Sequence, residues 1–210
     1  MAARVITIAQ QKGGAGKTTL AAQLAVVWAG QGRRLALLDI DPQASLAAWA
    51  ELRRVRLAEA GLGFEFVALS GWRAAEWIER HAREVDFVVV DSPPHAELEA
   101  RIAVRAAGLV LVPLQPSPLD LWSTGTTLRL AREEGRKVLA VLNRVPPRSN
   151  LIETVISELA RDGVAVAESR LGSRVAFAQA MAQGRGVSET APSSLAAAEI
   201  TALAAEIAQA

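Results

Sequence analysis

The feature that most constrains the fold of this chain is a glycine-rich loop between an apolar run and a helical stretch near the N-terminus. The run Val5–Ala9 is apolar and β-branched, the next ten residues read QQKGGAGKTT, and residues 18–30 have helical spacing. Glycines let backbone N–H groups converge on phosphate oxygens, and the dipole of the following helix adds a positive end. Strand, loop and helix in this order predict a phosphate-binding loop.

The rest of the chain repeats the alternation of apolar runs with helical stretches. Continuous apolar runs are typical of strands buried on both faces, and their alternation with helices indicates βαβ crossovers. The predicted strands are Val5–Ala9, Arg34–Asp39, Phe64–Leu69, Val85–Asp91, Leu109–Pro113 and Val138–Asn143. The predicted helices are Thr18–Gly30, Ser45–Arg56, Trp72–Arg83, Glu97–Ala107, Ser123–Glu134, Leu151–Arg161, Ser173–Ala182 and Ser193–Gln209. We therefore predict one α/β domain over residues 1–210, a doubly wound, mostly parallel sheet with helices on both faces.

Composition excludes several classes of protein. The chain has no cysteine, which excludes disulfides, thiolate metal sites and iron–sulfur clusters. Its N-terminus lacks the basic and apolar regions of a signal peptide, and no apolar run approaches the roughly 20 residues of a membrane span. These features favour a cytoplasmic location. Of the 23 basic residues only three are lysines, and two of these, Lys12 and Lys17, lie in the glycine-rich loop.

Phosphate chemistry suggests a role for each of the three residues that end this loop. Lys17 is placed to reach the β- and γ-phosphates, Thr18 to bind Mg²⁺ through its hydroxyl, and Thr19 to contact the α-phosphate. ATP and Mg²⁺ are thus the expected cofactors. The predicted nucleotide-binding residues of the loop are Gly13, Gly14, Ala15, Gly16, Lys17, Thr18 and Thr19.

The loop departs from the ordinary Walker A pattern at two positions. Gln11 replaces the first glycine, and Lys12 stands where that pattern has no preference. The loop resembles the deviant Walker A family, KGG-x-GK-[ST], which includes ParA, MinD and the nitrogenase iron protein. The resemblance implies an ATP-dependent homodimer in which Lys12 reaches the partner's ATP, as an arginine finger does. The alternative is a solvated loop lysine, against which the scarcity of lysine argues.

Two further segments carry acids at predicted strand ends, where doubly wound sheets bind ligands. In Asp39-Ile-Asp-Pro-Gln the resemblance implies switch I, with Asp41 positioning the attacking water or the metal shell. The alternative makes Asp41 a turn former before Pro42, and Asp39 is expected to be structural. Four apolar residues deliver Asp91 to another strand end, as in a Walker B strand that holds Mg²⁺. His95 is expected to be an exposed loop residue.

A proline-rich segment points to one branch of the family. Residues 112–120 read VPLQPSPLD, which resembles the V-x-P-x-x-P-S-P-x-D segment of ParA proteins, especially the short ParF type. In that family this region lies near the base and the dimer interface, so Pro116 is a candidate nucleotide contact. Asn143, at another strand end, stands where relatives contact adenine. The resemblance covers most of residues 4–145.

The resemblance implies a slow, Mg-dependent ATPase that positions plasmid, chromosome or other cargo, with Lys12, Lys17 and Asp41 as catalytic residues. It also implies a nucleoid-associated protein that binds non-specific DNA and is stimulated by a ParB-like or cargo-adaptor partner. Residues 143–185 hold six arginines against four acids, which suits phosphate contacts. An ordinary solvated surface is the alternative. The predicted DNA-binding residues are Arg144, Arg148, Arg170, Arg174 and Arg185.

Two other functions stay open at the level of sequence. A MinD-like membrane switch would carry a basic amphipathic helix at its C-terminus, whereas residues 186–210 contain Glu189, Glu199 and Glu206 and no lysine or arginine. No membrane partner is therefore expected. A metabolic synthetase or kinase would share the phosphate loop and Asp91, but would not need the proline-rich segment.

Overall fold

The computed structural model describes residues 3–58, 61–94 and 97–210. Seven strands form one sheet in the order β3-β2-β4-β1-β5-β6-β7, and every pair of neighbours is parallel. The strands are β1 Arg4–Ile8, β2 Leu35–Asp39, β3 Glu65–Ala68, β4 Phe87–Asp91, β5 Leu109–Leu114, β6 Lys137–Leu142 and β7 Ala165–Val166. The predicted doubly wound fold is confirmed, with an all-parallel sheet among the described residues.

Helices cover both faces of this sheet, which explains why its central strands are apolar throughout. The helices are α1 Lys17–Gly30, α2 Ser45–Leu57, α3 Gly71–His81, α4 Glu97–Ala106, α5 Pro118–Glu133, α6 Ile152–Arg161, α7 Val175–Met181, α8 Val187–Thr190 and α9 Leu195–Ile207. One core joins β1, β4 and β5 to α1, α2, α8 and α9, and the opposite face packs against α3 to α6.

The largest departure from the sequence prediction lies at the start of α5. This helix begins at Pro118, well before the predicted Ser123, because Ser117 caps it by accepting a hydrogen bond from the Asp120 N–H. Proline suits the first helical position, where its missing N–H costs nothing. The short elements β7 and α8 were not predicted, because two and four residues carry too little periodicity to be recognised.

The C-terminal helix α9 packs along α1 in the first of these cores. Trp28 of α1 stacks on Phe87 with ring centroids 4.4 Å apart and donates its indole N–H to the Ala204 carbonyl. The expectation of a packed, alanine-rich tail is therefore confirmed. None of the helices in the described part of the chain is long and apolar enough to span a membrane.

Candidate nucleotide site

The candidate site lies at the carboxyl edge of the sheet, where three neighbouring strands end together. The strand register sets Ile8 beside Asp91 and Asp39 beside Asp91. The glycine-rich loop therefore leaves β1 next to the two carboxylates that end β2 and β4. This is the edge at which parallel sheets bind ligands.

The loop adopts a conformation that only glycine takes without strain. Gly14 and Gly16 have φ angles of 76° and 92°. A Cβ at Gly16 would also lie 2.4 Å from the Asn143 amide nitrogen. Lys17 follows at the start of α1 and is only 7% exposed. Its ammonium donates to the Gln10 carbonyl at 3.0 Å, while burial lowers its pKa against the opposing charges of Asp91 and Asp41.

Thr18 and Asp91 form a direct contact beside this lysine. The Thr18 hydroxyl donates to Asp91 Oδ2 at 2.7 Å, and Asp91 is 1% exposed. Burial raises the pKa of Asp91 to about 7, although the hydrogen bond from Thr18 opposes this shift. The other carboxylate oxygen, Oδ1, is buried with no hydrogen-bond partner among the described residues.

An orphaned carboxylate oxygen beside a hydroxyl fits Mg²⁺. This ion is usually held by one or two protein oxygens together with phosphates and water, so a larger acidic cluster is not needed. In the described ranges no group of three or more His, Cys, Asp or Glu side chains could hold a metal. Thr18 and Asp91, two of the three metal-site residues predicted from the sequence, therefore form a minimal donor set, with Asp41 as the third candidate. His95 lies outside the described residues.

The two acids that follow β2 have different surroundings. Asp39 is buried, which raises its pKa, and accepts hydrogen bonds from the Asp41 and Ala47 N–H groups at 3.0 and 2.8 Å. Asp39 thus connects the segment that follows β2 to the first turn of α2. Asp41 is partly exposed and accepts from the Gln43 N–H at 3.0 Å, which is the contact of a turn former. Its charge also raises the pKa of Lys17, against the effect of burial.

On the outer side of the loop, Lys12 forms an ion pair that the sequence did not indicate. Its ammonium lies 2.6 Å from Asp120 Oδ2, with 35% of the lysine side chain and 4% of the aspartate side chain exposed. Ser117 Oγ also donates to this carboxylate. Burial favours the neutral acid, but the hydrogen bonds from Lys12, Ser117 and Gln115 outweigh it and hold the pKa of Asp120 below its usual value.

Helix α5 contacts the loop at two more points that sequence reasoning missed. The Gln10 side chain donates to Thr124 Oγ1 at 2.9 Å, and the Gln11 N–H donates to Thr127 Oγ1 at 3.3 Å. Thr124 in turn donates to the Asp120 carbonyl one turn earlier. No sequence signal distinguishes these threonines from others within a helix. Together with Asp120 they attach three consecutive loop residues to one side of α5.

A cavity of about 350 Å³ opens beside the loop, next to Gly16 and Thr19. Asn143 borders it, but both ends of its amide are used within the protein. Its nitrogen donates to the Ala15 carbonyl at 2.8 Å, and its oxygen accepts from the Arg144 N–H. Asn143 therefore braces the loop. The other lining residues are Leu20, Gln23, Arg144, Leu171, Gly172, Ser173, Arg174, Val175, Phe177, Ala178 and Ile200.

Pro116, the other expected contact to the base, is buried in the segment between β5 and α5. It is not among the residues that line this cavity. The structure therefore brings Asn143, but not Pro116, to the space beside Gly16. The proline-rich segment instead serves the cap of α5 and the surroundings of Asp120.

The five arginines proposed from the sequence do not form one uniform surface. Arg174 is held by Glu199, which accepts from its Nε at 2.9 Å, and Arg170 lies 3.6 Å from Glu153. Arg185 is half-buried and adds positive charge near Glu189. Arg144 and Arg148 are exposed and make no ion pair with any residue in the described ranges. These two carry most of the unbalanced charge.

Comparison with known proteins identifies relatives of this site and fold. A family model described as the CobQ/CobB/MinD/ParA nucleotide binding domain matches residues 6–187. The maintenance of carboxysome distribution protein A of Halothiobacillus neapolitanus is 29% identical over 87% of this chain and 85% of its own. Protein ParA of Rhizobium radiobacter is 32% identical over 82% of this chain and 80% of its own.

Solved structures agree on the fold. The cell division ATPase MinD of Pyrococcus furiosus superposes with a TM-score of 0.82, at 24% identity, over 98% of both chains. An ATP complex of Cyanothece McdA gives a TM-score of 0.80 at 17% identity, over 99% of this chain and 96% of its own. Solved neighbours hold ATP or Mg-ADP, so ATP and Mg²⁺ are confirmed as ligands of the family. The chain belongs to this nucleotide-binding family, in its ParA/MinD branch of ATPases.

Proposed function

We propose that this chain is an ATP-driven dimerisation switch that positions DNA or another cargo in the cell. One observation carries the proposal. The loop holds two lysines with different partners, because Lys17 is buried against the phosphate nest whereas Lys12 turns to the other side of the loop and pairs with Asp120 of α5. A cation on the outer side has no phosphate of its own subunit to serve. It suits a role in the site of a partner subunit.

In this mechanism the inner side of the loop binds and neutralises the triphosphate. Backbone N–H groups of residues 13–16 cradle the phosphates, and the Lys17 ammonium leaves the Gln10 carbonyl for the γ-phosphate. Thr18 and Asp91 would hold Mg²⁺, which spreads the charge of the β- and γ-phosphates. Asp41 orients the attacking water. Because positioning replaces a strong base, hydrolysis is slow until a partner accelerates it.

The outer side would act when two ATP-loaded subunits meet. Lys12 exchanges Asp120 for the γ-phosphate of the facing subunit, so charge neutralisation depends on dimerisation. The homodimer doubles the phosphate contacts available to non-specific DNA, which favours a cytoplasmic, nucleoid-associated protein. Arg144 and Arg148 are the best-placed cations of the proposed DNA surface. A ParB-like protein or a cargo adaptor would then trigger hydrolysis and release.

The names of the relatives support positioning as the purpose of this cycle. They include proteins that maintain carboxysome distribution, a ParA protein and the chromosome-partitioning ATPase Soj of Thermus thermophilus. The similarity to MinD suggests a membrane switch as the competing function. Against it, α9 packs into the core and its acids hold it to the rest of the chain, so it is not free to lie on a membrane. Glu199 binds Arg174, and Glu206 accepts from the Glu168 and Ser169 N–H groups.

Co-sedimentation tests the proposal. The full chain is spun with non-specific duplex DNA, or with anionic liposomes, in ATP, in ADP and without nucleotide. An Asp41→Ala variant holds the ATP state. We expect retention on DNA in ATP alone, with loss in high salt and in an Arg144→Ala/Arg148→Ala double variant. The matched control is Arg56→Ala, an exposed arginine of α2.

Three results would contradict parts of this function. Retention on liposomes instead of DNA would support the membrane switch. ADP formation that needs a small carboxylate, without any effect of DNA, would support the metabolic enzyme. Equal losses in the Arg56 control and the double variant would remove Arg144 and Arg148 from the DNA surface.

A further inference from the structure

One wall of the cavity beside Gly16 is formed by residues 171–174, which we call the wall segment. The segment lies between β7 and α7, and all four of its residues line the cavity. Thr19, the residue expected at the α-phosphate, lines the same cavity, whose volume of about 350 Å³ suits a nucleoside. The base and ribose of a bound ATP therefore fall against the wall segment.

On one side, the wall segment is held by the chain that continues from the end of β6. The Leu171 N–H donates to the Leu142 carbonyl, and the Leu171 carbonyl accepts from the Val145 N–H, both at 2.9 Å. The Ser173 N–H donates to the Val145 carbonyl, again at 2.9 Å. These backbone bonds fix the edge of the segment that faces the sheet.

On the other side, the wall segment is held by one carboxylate of α9. Glu199 Oε2 accepts from the Gly172 N–H at 3.1 Å and from Arg174 Nε at 2.9 Å, while Oε1 accepts from Arg174 Nη2. Burial favours the neutral acid, but the hydrogen bonds from Arg174 and the Gly172 N–H outweigh it and hold the pKa of Glu199 below its usual value. A single acid thus binds both the backbone and a side chain of the wall segment, the latter by two parallel bonds.

Gly172 is what allows this arrangement. Its φ is not positive, so its backbone conformation does not require glycine. A Cβ there would instead lie 3.0 Å from Arg174 Nε and 3.1 Å from Nη2. The guanidinium therefore lies directly against the Gly172 backbone, and a side chain at this position would displace it from Glu199.

The same helix carries a second acid that makes similar contacts with a different segment. Glu206 accepts from the Glu168 and Ser169 N–H groups at 2.8 and 2.9 Å. Neither Glu168 nor Ser169 is among the residues that line the cavity. Helix α9 therefore holds the chain that follows β7 at two points, and at Glu199 the chain it holds is a wall of the cavity.

We propose that Glu199 is a positioning residue for nucleotide binding, which holds the wall segment against the base and ribose without touching the ligand itself. The inference rests on the ATP binding of the function proposed above, and it does not depend on dimerisation, DNA or cargo. Loss of Glu199 should weaken the hold on the nucleoside and spare the phosphates, because these bind at the phosphate loop.

The test compares Mg-ATP with magnesium-bound inorganic tripolyphosphate, which has three linked phosphates and no nucleoside. Affinity for ATP is measured by isothermal titration, and affinity for tripolyphosphate by its competition with ATP. The variants are Glu199→Ala, Glu199→Gln and Gly172→Ala. Glu206→Ala is the matched control, because it removes an acid of α9 that holds backbone N–H groups away from the cavity.

We expect Glu199→Ala to bind ATP about tenfold more weakly, the loss expected of one charged hydrogen-bonded contact, with tripolyphosphate affinity unchanged. Glu199→Gln should lose less, because its amide oxygen still accepts from the Gly172 N–H. Gly172→Ala should also lose ATP affinity alone, since its Cβ displaces Arg174 while the acid remains. Glu206→Ala should keep the ATP-to-tripolyphosphate ratio of the unmodified protein, even where its melting temperature falls as far as that of Glu199→Ala.

Three results would overturn the inference. They are unchanged ATP affinity in Glu199→Ala, equal losses of ATP and tripolyphosphate affinity in that variant, or the same change of ratio in Glu206→Ala, which would reduce Glu199 to a general stabiliser of α9. The expected ratios in a protein that neither dimerises nor hydrolyses ATP would support this inference and refute the proposed switch. An unmodified protein that binds neither ligand would overturn both.

Discussion

The phosphate loop has an inner side, with Lys17, Thr18 and Asp91, and an outer side, with Lys12 and Asp120, and the two balance their charges in different ways. On the inner side, the described residues give Lys17 only a backbone carbonyl as partner and leave one buried oxygen of Asp91 with none. On the outer side, Lys12 and Asp120 already satisfy each other at 2.6 Å. The inner side is therefore incomplete until a ligand binds, whereas the outer side must break a contact before it can act. Ligand binding and dimerisation should thus be separable by mutation.

The largest effect should come from the inner side. Lys17→Ala removes the cation aimed at the phosphates, and we expect hydrolysis to fall by about 10²–10³-fold, the usual loss for one preorganised transition-state contact. Nucleotide affinity should fall as well, measured by isothermal titration with ATP. Lys137→Ala, an exposed lysine at the start of β6, is the control and should behave as the unmodified protein. Unchanged ATP affinity in Lys17→Ala would contradict the inner site.

A substitution on the outer side should separate binding from hydrolysis. We expect Lys12→Ala to bind ATP almost as the unmodified protein does, because Lys12 does not face its own nest. Its turnover should fall by about 10²-fold, since the cation supplied to the facing subunit is lost. Titration and steady-state ADP release together measure the difference. A parallel loss of ATP affinity would place Lys12 on the inner side.

A smaller effect should follow from freeing Lys12 instead of deleting it. Asp120→Asn keeps the shape of the side chain and removes the charge that holds Lys12. With about 1 kcal/mol lost from a pair whose lysine side chain is 35% exposed, ATP-dependent dimerisation should strengthen by a few-fold to tenfold. Light scattering across a range of protein concentrations measures this shift. Weaker dimerisation, in a variant whose circular dichroism is unchanged, would indicate that Asp120 serves the dimer itself.

The smallest effect is a pH dependence that belongs to the inner side alone. Burial raises the pKa of Asp91 to about 7, so the free protein holds a proton that the unfolded chain has lost. Its contribution to stability is present below pH 4 and is lost as the pH rises to about 7. Thermal unfolding without nucleotide should show this decline, and Asp91→Asn should reduce it to the part that the raised pKa of Asp39 contributes. An identical profile in both proteins would exclude Asp91 as its source.

Mg-nucleotide should reverse this trend, because it needs the ionised carboxylate. Binding of Mg-ATP should therefore strengthen as the pH rises toward 7 and release protons. Titrations in buffers of different ionisation enthalpy measure that release. We expect the Lys12–Asp120 pair to add no change in stability or ATP binding near neutral pH, because the pKa of Asp120 is lowered and its carboxylate is already ionised there.

The sequence predicted the inner side of the loop far better than the outer side. Lys17, Thr18 and Asp91 could be found because glycines, a strand end and a helix start mark their places along the chain. The Lys12 partner lies 108 residues away, and a single sequence carries no signal for a pair at that separation. Asn143, expected to contact the base, does border the cavity beside Gly16, but its hydrogen bond to the Ala15 carbonyl had no sequence signal.

The same limit explains the arginines and α5. Arg174 counted as a free cation in the sequence, whereas the fold places it against Glu199 on a different helix. The early start of α5 depends on the Ser117 cap, and the prolines around it favoured a loop. Roles that depend on local spacing were predictable, and roles that depend on a distant partner were not.

The most direct test of the outer side is sedimentation velocity in ATP. Asp41→Ala protein, which holds ATP, is compared with Asp41→Ala/Lys12→Ala and with Asp41→Ala/Lys137→Ala at the same concentration. We expect dimers for the first and third proteins, and monomers that still bind ATP for the second. Dimers formed equally well without Lys12 would show that this lysine does not couple ATP to dimerisation, and would contradict the proposed switch.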